Sequence, residues 1–181
     1  MRAGAIIRRM RDLLATGARS LEVERVSSMI DDLASVLALI SRDTDVSIEI
    51  DLDTADDHVM ADRIQFQQAV TNLVRNAVDA VAGRPRAVVI VVGRARRTGY
   101  EISVEDNGPG IPDSQVDSIF QPMMTTKSGG MGLGLSVTRS IVESHGAKLE
   151  VRRSDLGGAA FSFRLQRETE LDVVSKKVVH P

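Results

Sequence analysis

The chain has 181 residues, 43% of them hydrophobic and 27% charged, with a formal net charge of −2. That is the size and balance of one globular domain with an appendage, and it supplies no electrostatic drive toward nucleic acid or an anionic membrane surface. The absence of cysteine excludes disulfides and thiolate metal sites and suits a reducing, cytoplasmic setting; no apolar run reaches the ~18 residues of a spanning helix, and His58, His145 and His180 are too scattered for a metal-ligand pattern.

Residues 1–16 place Ile6, Ile7, Met10, Leu13 and Leu14 at helical spacing among Arg2, Arg8, Arg9, Arg11 and Asp12, and Gly17 ends the pattern as a C-terminal cap. A second helix is predicted from about Ser27 to Ile40. Ser27 or Ser28 caps it, Ser28 with Asp31 resembles a capping box, and Ile30, Leu33, Leu37 and Ile40 form its buried stripe. Val46 to Asp51 alternates as a half-buried strand, and Val59-Met60-Ala61 offers a further short one.

Asp62 then caps a long helix to about Val81, with Gln65 completing a capping box. Phe66, Ala69, Val70, Leu73, Ala77 and Val81 face the core. Asn72, Asn76 and Asp79, separated by four and three residues, share a different face. Asn and Asp compete with the helix backbone, so this row is either a wet surface stripe or a face turned to a ligand.

Val88 to Val92 is a β-branched run and reads as a central strand. Thr98-Gly99 turns it into a partner strand in which Tyr100, Ile102 and Val104 alternate with polar residues up to Asp106. Pro112-Asp113 begins a short helix to about Ile119. Residues 121–131 lack periodicity and read as a mobile lid. A helix follows Gly134, with Val137, Ile141 and Val142 inward and Gly146 as its stop. Strands over 148–152 and 160–165 flank Gly157-Gly158, which reads as a hairpin turn. The tail from Arg167 to Pro181 has no clear partner.

Six of the fourteen glycines fall between Gly108 and Gly134. Glycine has no side chain to bury and costs entropy to order, so the cluster points to sharp turns or close approach to a ligand. Gly130-Met131-Gly132-Leu133-Gly134 runs into a helix start, whose unpaired N–H groups at the positive end of the helix dipole seat phosphate. It is not a mononucleotide loop, which needs Gly-Lys-Ser/Thr, and it lacks the setting of a dinucleotide fingerprint.

Four stretches in order carry a resemblance: Asn72-Leu73-Val74-Arg75-Asn76-Ala77-Val78-Asp79-Ala80, then Asp106-x-Gly108-x-Gly110, then a lid containing Phe120, then Gly130-x-Gly132-x-Gly134. Together they resemble the ATP-binding domain of bacterial sensor histidine kinases, in the superfamily shared with gyrase, Hsp90 and MutL, over roughly Val23 to Leu165. Phe120 to Lys127 and the helix Arg139 to Gly146 are similar to the oxygen-sensing and dicarboxylate-sensing branch, and Ala3 to Asp12 resembles the end of its second dimerisation helix. The resemblance implies an α+β fold, a two-layer sandwich with helices on one face of a mixed sheet. It divides the chain into a dimerisation-helix remnant over 1–17, a catalytic domain over 18–166 and a tail over 167–181.

The resemblance further implies ATP and Mg²⁺ as cofactors, with Asn76 as the metal-binding residue and Asn76 and Lys127 as the catalytic pair. Asp106 accepts from the exocyclic amine of adenine, Gly108 and Gly110 let the chain pass close to the base, and Gly132 and Gly134 offer N–H donors to phosphate. Asn72 and Asp79 reach phosphate, ribose or metal-bound water. Ile111, Phe120, Thr125, Thr126, Gly130, Leu133 and Leu135 complete the nucleotide-contacting set. Phe120 either anchors the lid in the core or covers the nucleotide, with the anchor preferred.

Chaperone and topoisomerase relatives carry a water-activating Glu where this chain has Asn72. An amide is no general base near neutral pH, which favours phosphoryl transfer to a protein over hydrolysis. No histidine here has the phosphoacceptor context. The expectation is therefore a catalytic piece of a two-component kinase, with a homodimeric parent for which membrane anchoring is left open, that donates the γ-phosphate to a histidine domain outside this chain and signals to a response regulator. The competing readings are a stand-alone serine kinase of the anti-sigma type and a nucleotide-binding docking module.

Overall fold

The computed structural model describes residues 21–116, 118–121 and 132–167. The expected amphipathic segment over 1–16, most of the lid and the tail beyond Arg167 lie outside them.

Among the described residues, seven strands and four α-helices follow in order: β1 (Glu22–Arg25), α1 (Val26–Asp31), α2 (Ala34–Thr44), β2 (Ser47–Leu52), β3 (His58–Ala61), α3 (Arg63–Val81), β4 (Val88–Arg96), β5 (Gly99–Asp106), α4 (Gly134–Ser144), β6 (Glu150–Arg153) and β7 (Ala159–Leu165). The main sheet has the order β2-β4-β5-β7-β6, with β1 and β3 forming a separate antiparallel pair. Only β2 and β4 run parallel; the other neighbours are antiparallel. This is the expected mixed sheet of an α+β fold.

The residues predicted to face inward from the long helix, Phe66, Ala69, Val70, Leu73, Ala77 and Val81, are all at most 4% exposed. Ile102, Val104, Phe161 and Phe163 meet them from the sheet, with Phe66 edge-on to Phe163 at 6.3 Å between centroids. Burial of this apolar stripe, at roughly 25 cal/mol per Å², is what holds α3 to the sheet.

Four local expectations change. The helix predicted over Ser27–Ile40 is two helices, broken at Asp32-Leu33, and α2 continues to Thr44. Neither serine caps the first. Asp57, from the loop before β3, accepts from the Ser27 N–H through Oδ2 at 2.9 Å, and its carbonyl accepts from the Val26 N–H at 3.0 Å. The helix predicted after Pro112 is a single 3₁₀ turn, Asp113–Gln115, followed by hydrogen-bonded turns to Gln121. At α3, Asp62 Oδ1 does accept from the Gln65 N–H at 3.0 Å. The Gln65 side chain does not return the bond, because its oxygen accepts from Ser144 Oγ instead. Finally, Gln166 and Arg167 have a partner: Met60 N–H donates to the Gln166 carbonyl and Arg167 bridges Val59, joining the end of β7 to β3.

Candidate functional site

β5 is flanked by β4 and β7, so its last residue, Asp106, leaves the sheet from its middle and lies 2% exposed. The Gly108 N–H donates to Asp106 Oδ1 at 2.8 Å and the Ala159 N–H to the same oxygen at 3.2 Å. Among the described residues, nothing donates to Oδ2. Burial pushes this carboxyl above the usual aspartate range, against the pull of the two N–H donors and of the Arg84 charge. Among the described residues this buried carboxylate has no direct cationic partner and one oxygen without a donor, which makes it a candidate ligand contact. Asn107 braces the loop: its Oδ1 accepts from the Val88 N–H at 3.0 Å and its amide donates to the Arg86 carbonyl at 2.8 Å.

Two further elements reach the same stretch of α3. A Cβ on Gly108 would stand 3.2 Å from the Ala80 carbonyl and 2.7 Å from Asp106 Oδ1, so only glycine lets the loop pass between helix and carboxylate. A Cβ on Gly134, the first residue of α4, would stand 3.7 Å from Asn76 Nδ2. Asn76 and Ala80 are one turn apart, about 6 Å along the axis. The start of α4 has no side-chain cap, and the first N–H groups of a helix lack intrahelical carbonyls. α3 therefore carries an uncapped helix N-terminus on one turn and a buried carboxylate loop on the next.

Asn76 Nδ2 is buried with no hydrogen-bond partner among the described residues. A half-turn of the amide puts its oxygen in the same place. An orphaned buried amide costs stability unless something binds it, so it fits an amide ligand awaiting a cation or phosphate.

Asn72 is half-buried one turn before Asn76, and Asp79 is exposed. Gly110 and Gly132 take positive φ, +77 and +63. Ile111 and Leu135 pack against the core, and Leu133 is the residue preceding α4. Phe120 packs edge-on to Phe161, 6.4 Å between centroids, with the Arg139 guanidinium 5.8 Å from its ring, so it is an anchor in the core. Thr125, Thr126, Lys127 and Gly130 lie outside the described residues. Asn107 and Gly158 are site-forming residues that the sequence reading missed. The first stands inside the quoted glycine motif and could have been suspected there; the second had no local signal beyond a paired glycine.

A cavity of about 390 Å³ lies elsewhere, lined by Val116, Phe120, Arg139, Lys148 and Arg152 among others, and by none of Asn76, Asp106 or Gly134. Its cations are already paired, Arg139 with Glu143, Lys148 with Glu150 and Arg152 with Glu105.

The profile of the histidine kinase-, DNA gyrase B- and HSP90-like ATPases matches residues 61–169, which span α3, the carboxylate loop and α4. The chain belongs to that family. Its membership implies ATP binding. The sensor protein FixL of Bradyrhizobium diazoefficiens is 39% identical over 94% of this chain and 34% of its own length. The C4-dicarboxylate transport sensor protein DctS of Rhodobacter capsulatus is 36% identical over 91% of this chain and 25% of its own. This ATPase domain thus spans about a third or less of those relatives. Among solved structures, the catalytic domain of the histidine kinase ThkA superimposes with a TM-score of 0.73 at 29% identity, covering 82% of this chain and 96% of that one. ThkA in complex with the response regulator protein TrrA gives 0.76 at 25% identity, over 93% of this chain and 48% of that chain.

Proposed function

We propose that this chain binds Mg-ATP and donates the γ-phosphoryl group to a histidine on a separate phosphoacceptor domain, as the catalytic part of a two-component sensor kinase. The observation that carries this reading is the meeting on α3 of the Asn76 amide, whose buried Nδ2 has no hydrogen-bond partner among the described residues, the start of α4 without a side-chain cap and the buried Asp106 carboxylate. Phosphate at the α4 N-terminus and adenine at Asp106 use each feature for the chemistry it suits. A carboxylate accepts from the exocyclic amine of adenine, whereas guanine presents a carbonyl there and is refused.

Among the described residues, no cluster of three or more His, Cys, Asp or Glu could hold a metal by itself. Mg²⁺ is commonly held by few protein oxygens, with phosphate and water supplying the rest, and the Asn76 amide oxygen adds a ligand without adding negative charge beside the triphosphate. When bound, the ion would neutralise charge on the β- and γ-phosphates. Lys127 is the second cation by family resemblance. Asn72, unable to activate water, favours transfer to a protein over hydrolysis.

The histidine is supplied in trans. His58 is an exposed strand residue, and His145 is buried and hydrogen-bonded on both ring nitrogens. The sensor-protein relatives favour this reading over the anti-sigma-type serine kinase. The complex of ThkA with TrrA supports a response regulator as downstream partner; a homodimeric parent is part of the same proposal and rests on the family resemblance alone.

The test is calorimetric titration with ATP and GTP, with and without Mg²⁺, followed by labelled-ATP transfer to an added histidine-bearing helical domain. ATP-selective, Mg²⁺-enhanced binding with no self-labelling is expected. Stoichiometric label on a histidine of the purified chain alone would refute supply of the acceptor in trans.

A further inference from the structure

The turn between β6 and β7, residues 154–158, looks like a connection on the far side of the chain from the glycine motifs. In the fold it closes on Asp106. The Gly158 N–H donates to the Asp106 carbonyl at 3.1 Å, and the next N–H, on Ala159, donates to Asp106 Oδ1. A Cβ on Gly158 would stand 2.1 Å from Asp106 Oδ1, 2.4 Å from the Asp106 carbonyl and 2.5 Å from the Gly108 nitrogen. Two of those three atoms are backbone and cannot swing aside. By contrast, a Cβ on Gly157 would meet nothing within 4 Å. The volume a side chain would need at 158 is the volume Asp106 and its loop occupy.

The turn is also held from the opposite face of β5. Glu105 alternates with Asp106 along the strand, so the two carboxylates leave opposite faces of the sheet. Glu105 is 9% exposed; its Oε2 accepts from Ser154 Oγ at 3.1 Å and its Oε1 from Arg152 at 2.8 Å and Ser103 Oγ at 3.0 Å. Ser154 in turn organises the turn: its Oγ accepts from the Leu156 N–H, its carbonyl from the Gly157 N–H, and its own N–H donates to the Gly158 carbonyl. Consecutive acidic residues thus grip one turn, Glu105 through its carboxylate at Ser154 and Asp106 through its main-chain carbonyl at Gly158, with the Asp106 carboxylate held by the next residue, Ala159.

We propose that Gly158, carried on this turn, is a positioning residue for nucleobase recognition: its missing side chain lets Asp106 stand with Oδ1 engaged and Oδ2 presented to the base. The inference rests on the ATP reading above and adds to it a division of labour. The turn governs the base-reading end alone, while Asn76 and the α4 N-terminus govern the phosphate end.

The experiment titrates the full chain and its variants with ATP and with inorganic tripolyphosphate, both with Mg²⁺, checking the fold by circular dichroism. Gly158→Ala is expected to weaken ATP binding by about tenfold or more, as for loss of a buried polar contact. Tripolyphosphate binding stays within about twofold of wild type, the ordinary error of additivity between separate sites. In the double variant Gly158→Ala with Asp106→Ala, ATP binds no more weakly than to Asp106→Ala alone, because Gly158 acts through that carboxylate. Should Gly158→Ala fail to fold, Ser154→Ala, which loosens the turn without adding volume, carries the test: ATP weakens and tripolyphosphate does not. A folded Gly158→Ala chain that binds ATP as wild type does, additive losses in the double variant, or a Ser154→Ala chain with unchanged ATP affinity when it serves as the test, overturns the positioning role while wild-type binding stands. Wild type that binds no ATP overturns both.

Discussion

The backbone N–H of Asp62 donates to Nε2 of His145 at 3.0 Å, across 83 positions of chain. The other ring nitrogen lies 2.8 Å from the Ile141 carbonyl, so Nδ1 carries the proton and Nε2 accepts. One imidazole thereby joins the N-terminus of α3 to the C-terminus of α4, the two helices proposed above to carry the phosphate end of the site. His145→Ala leaves the Asp62 N–H without that acceptor. A loss of about 1–3 kcal/mol is expected, read from the urea unfolding midpoint. An unchanged midpoint would mean the joint contributes nothing.

Asp57 does a similar task for α1. Burial pushes its carboxyl up, but hydrogen bonds from Ser27 and the Arg25 guanidinium outweigh this and hold it below the ordinary value. A depressed folded pKa contributes stability that is complete above the unfolded value of about 3.9 and is lost as pH falls through the folded one. Asp57→Ala should therefore cost about 1–3 kcal/mol near neutrality. The gap to wild type should narrow only in acid, below about pH 4. Unfolding curves for both chains across that range check the sign; a gap that is constant with pH would contradict it.

Asp106 has the opposite sign. Its folded pKa is raised, so between the ordinary aspartate value and its own the folded chain holds the proton more tightly than the unfolded chain, and this group's contribution to stability falls as pH rises through that window. ATP binding is expected to run the other way, because in the proposed recognition the ionised form is the acceptor. Affinity should decline as pH falls through the same window. Asp106→Asn, similar in shape but with an uncharged amide, should bind ATP at least about tenfold more weakly, since a mispaired buried polar group costs this much. It should also lack the wild-type component of the acid dependence. Parallel pH profiles for the two chains would remove Asp106 from base recognition.

Asn76 offers a separation of function from stability. Its buried Nδ2 makes no hydrogen bond among the described residues, so Asn76→Ala breaks no bond that supports the fold there. Its thermal midpoint should match wild type or rise, within about 0.5 kcal/mol of a neutral change or better. The gain in ATP affinity on adding Mg²⁺ should be lost. A chain that is destabilised and keeps its Mg²⁺ response would reverse the assignment.

Local pattern was enough for the long helix, its Asp62 cap, the β4–β5 hairpin and the helix stop at Gly146, which takes φ +71. These depend on period, caps and backbone freedom within a few residues. The ordered motifs around Asn76, Asp106 and the glycines likewise named the family before any fold was in view. What depended on distant partners was not legible. The cap from Asp57 follows from contacts about 30 residues away in the chain, and Asp32, where α1 and α2 part, is held by Arg63 and Gln67 of α3. Asn107 ties its loop to the start of β4 and to the Arg86 carbonyl through its side-chain amide, contacts 19 and 21 positions back in the chain.

By itself, then, the order of residues determined most of the helix and strand segments and supplied the candidate nucleotide-contacting side chains, because periodicity and side-chain chemistry are local properties. Only the folded chain decided that Phe120 anchors in the core, that His145 joins two helices, and that a turn 52 positions after Asp106 shapes the space around it. The reason is steric and long-range: the need for glycine at 158 exists only because another strand delivers a carboxylate into the space a Cβ would fill.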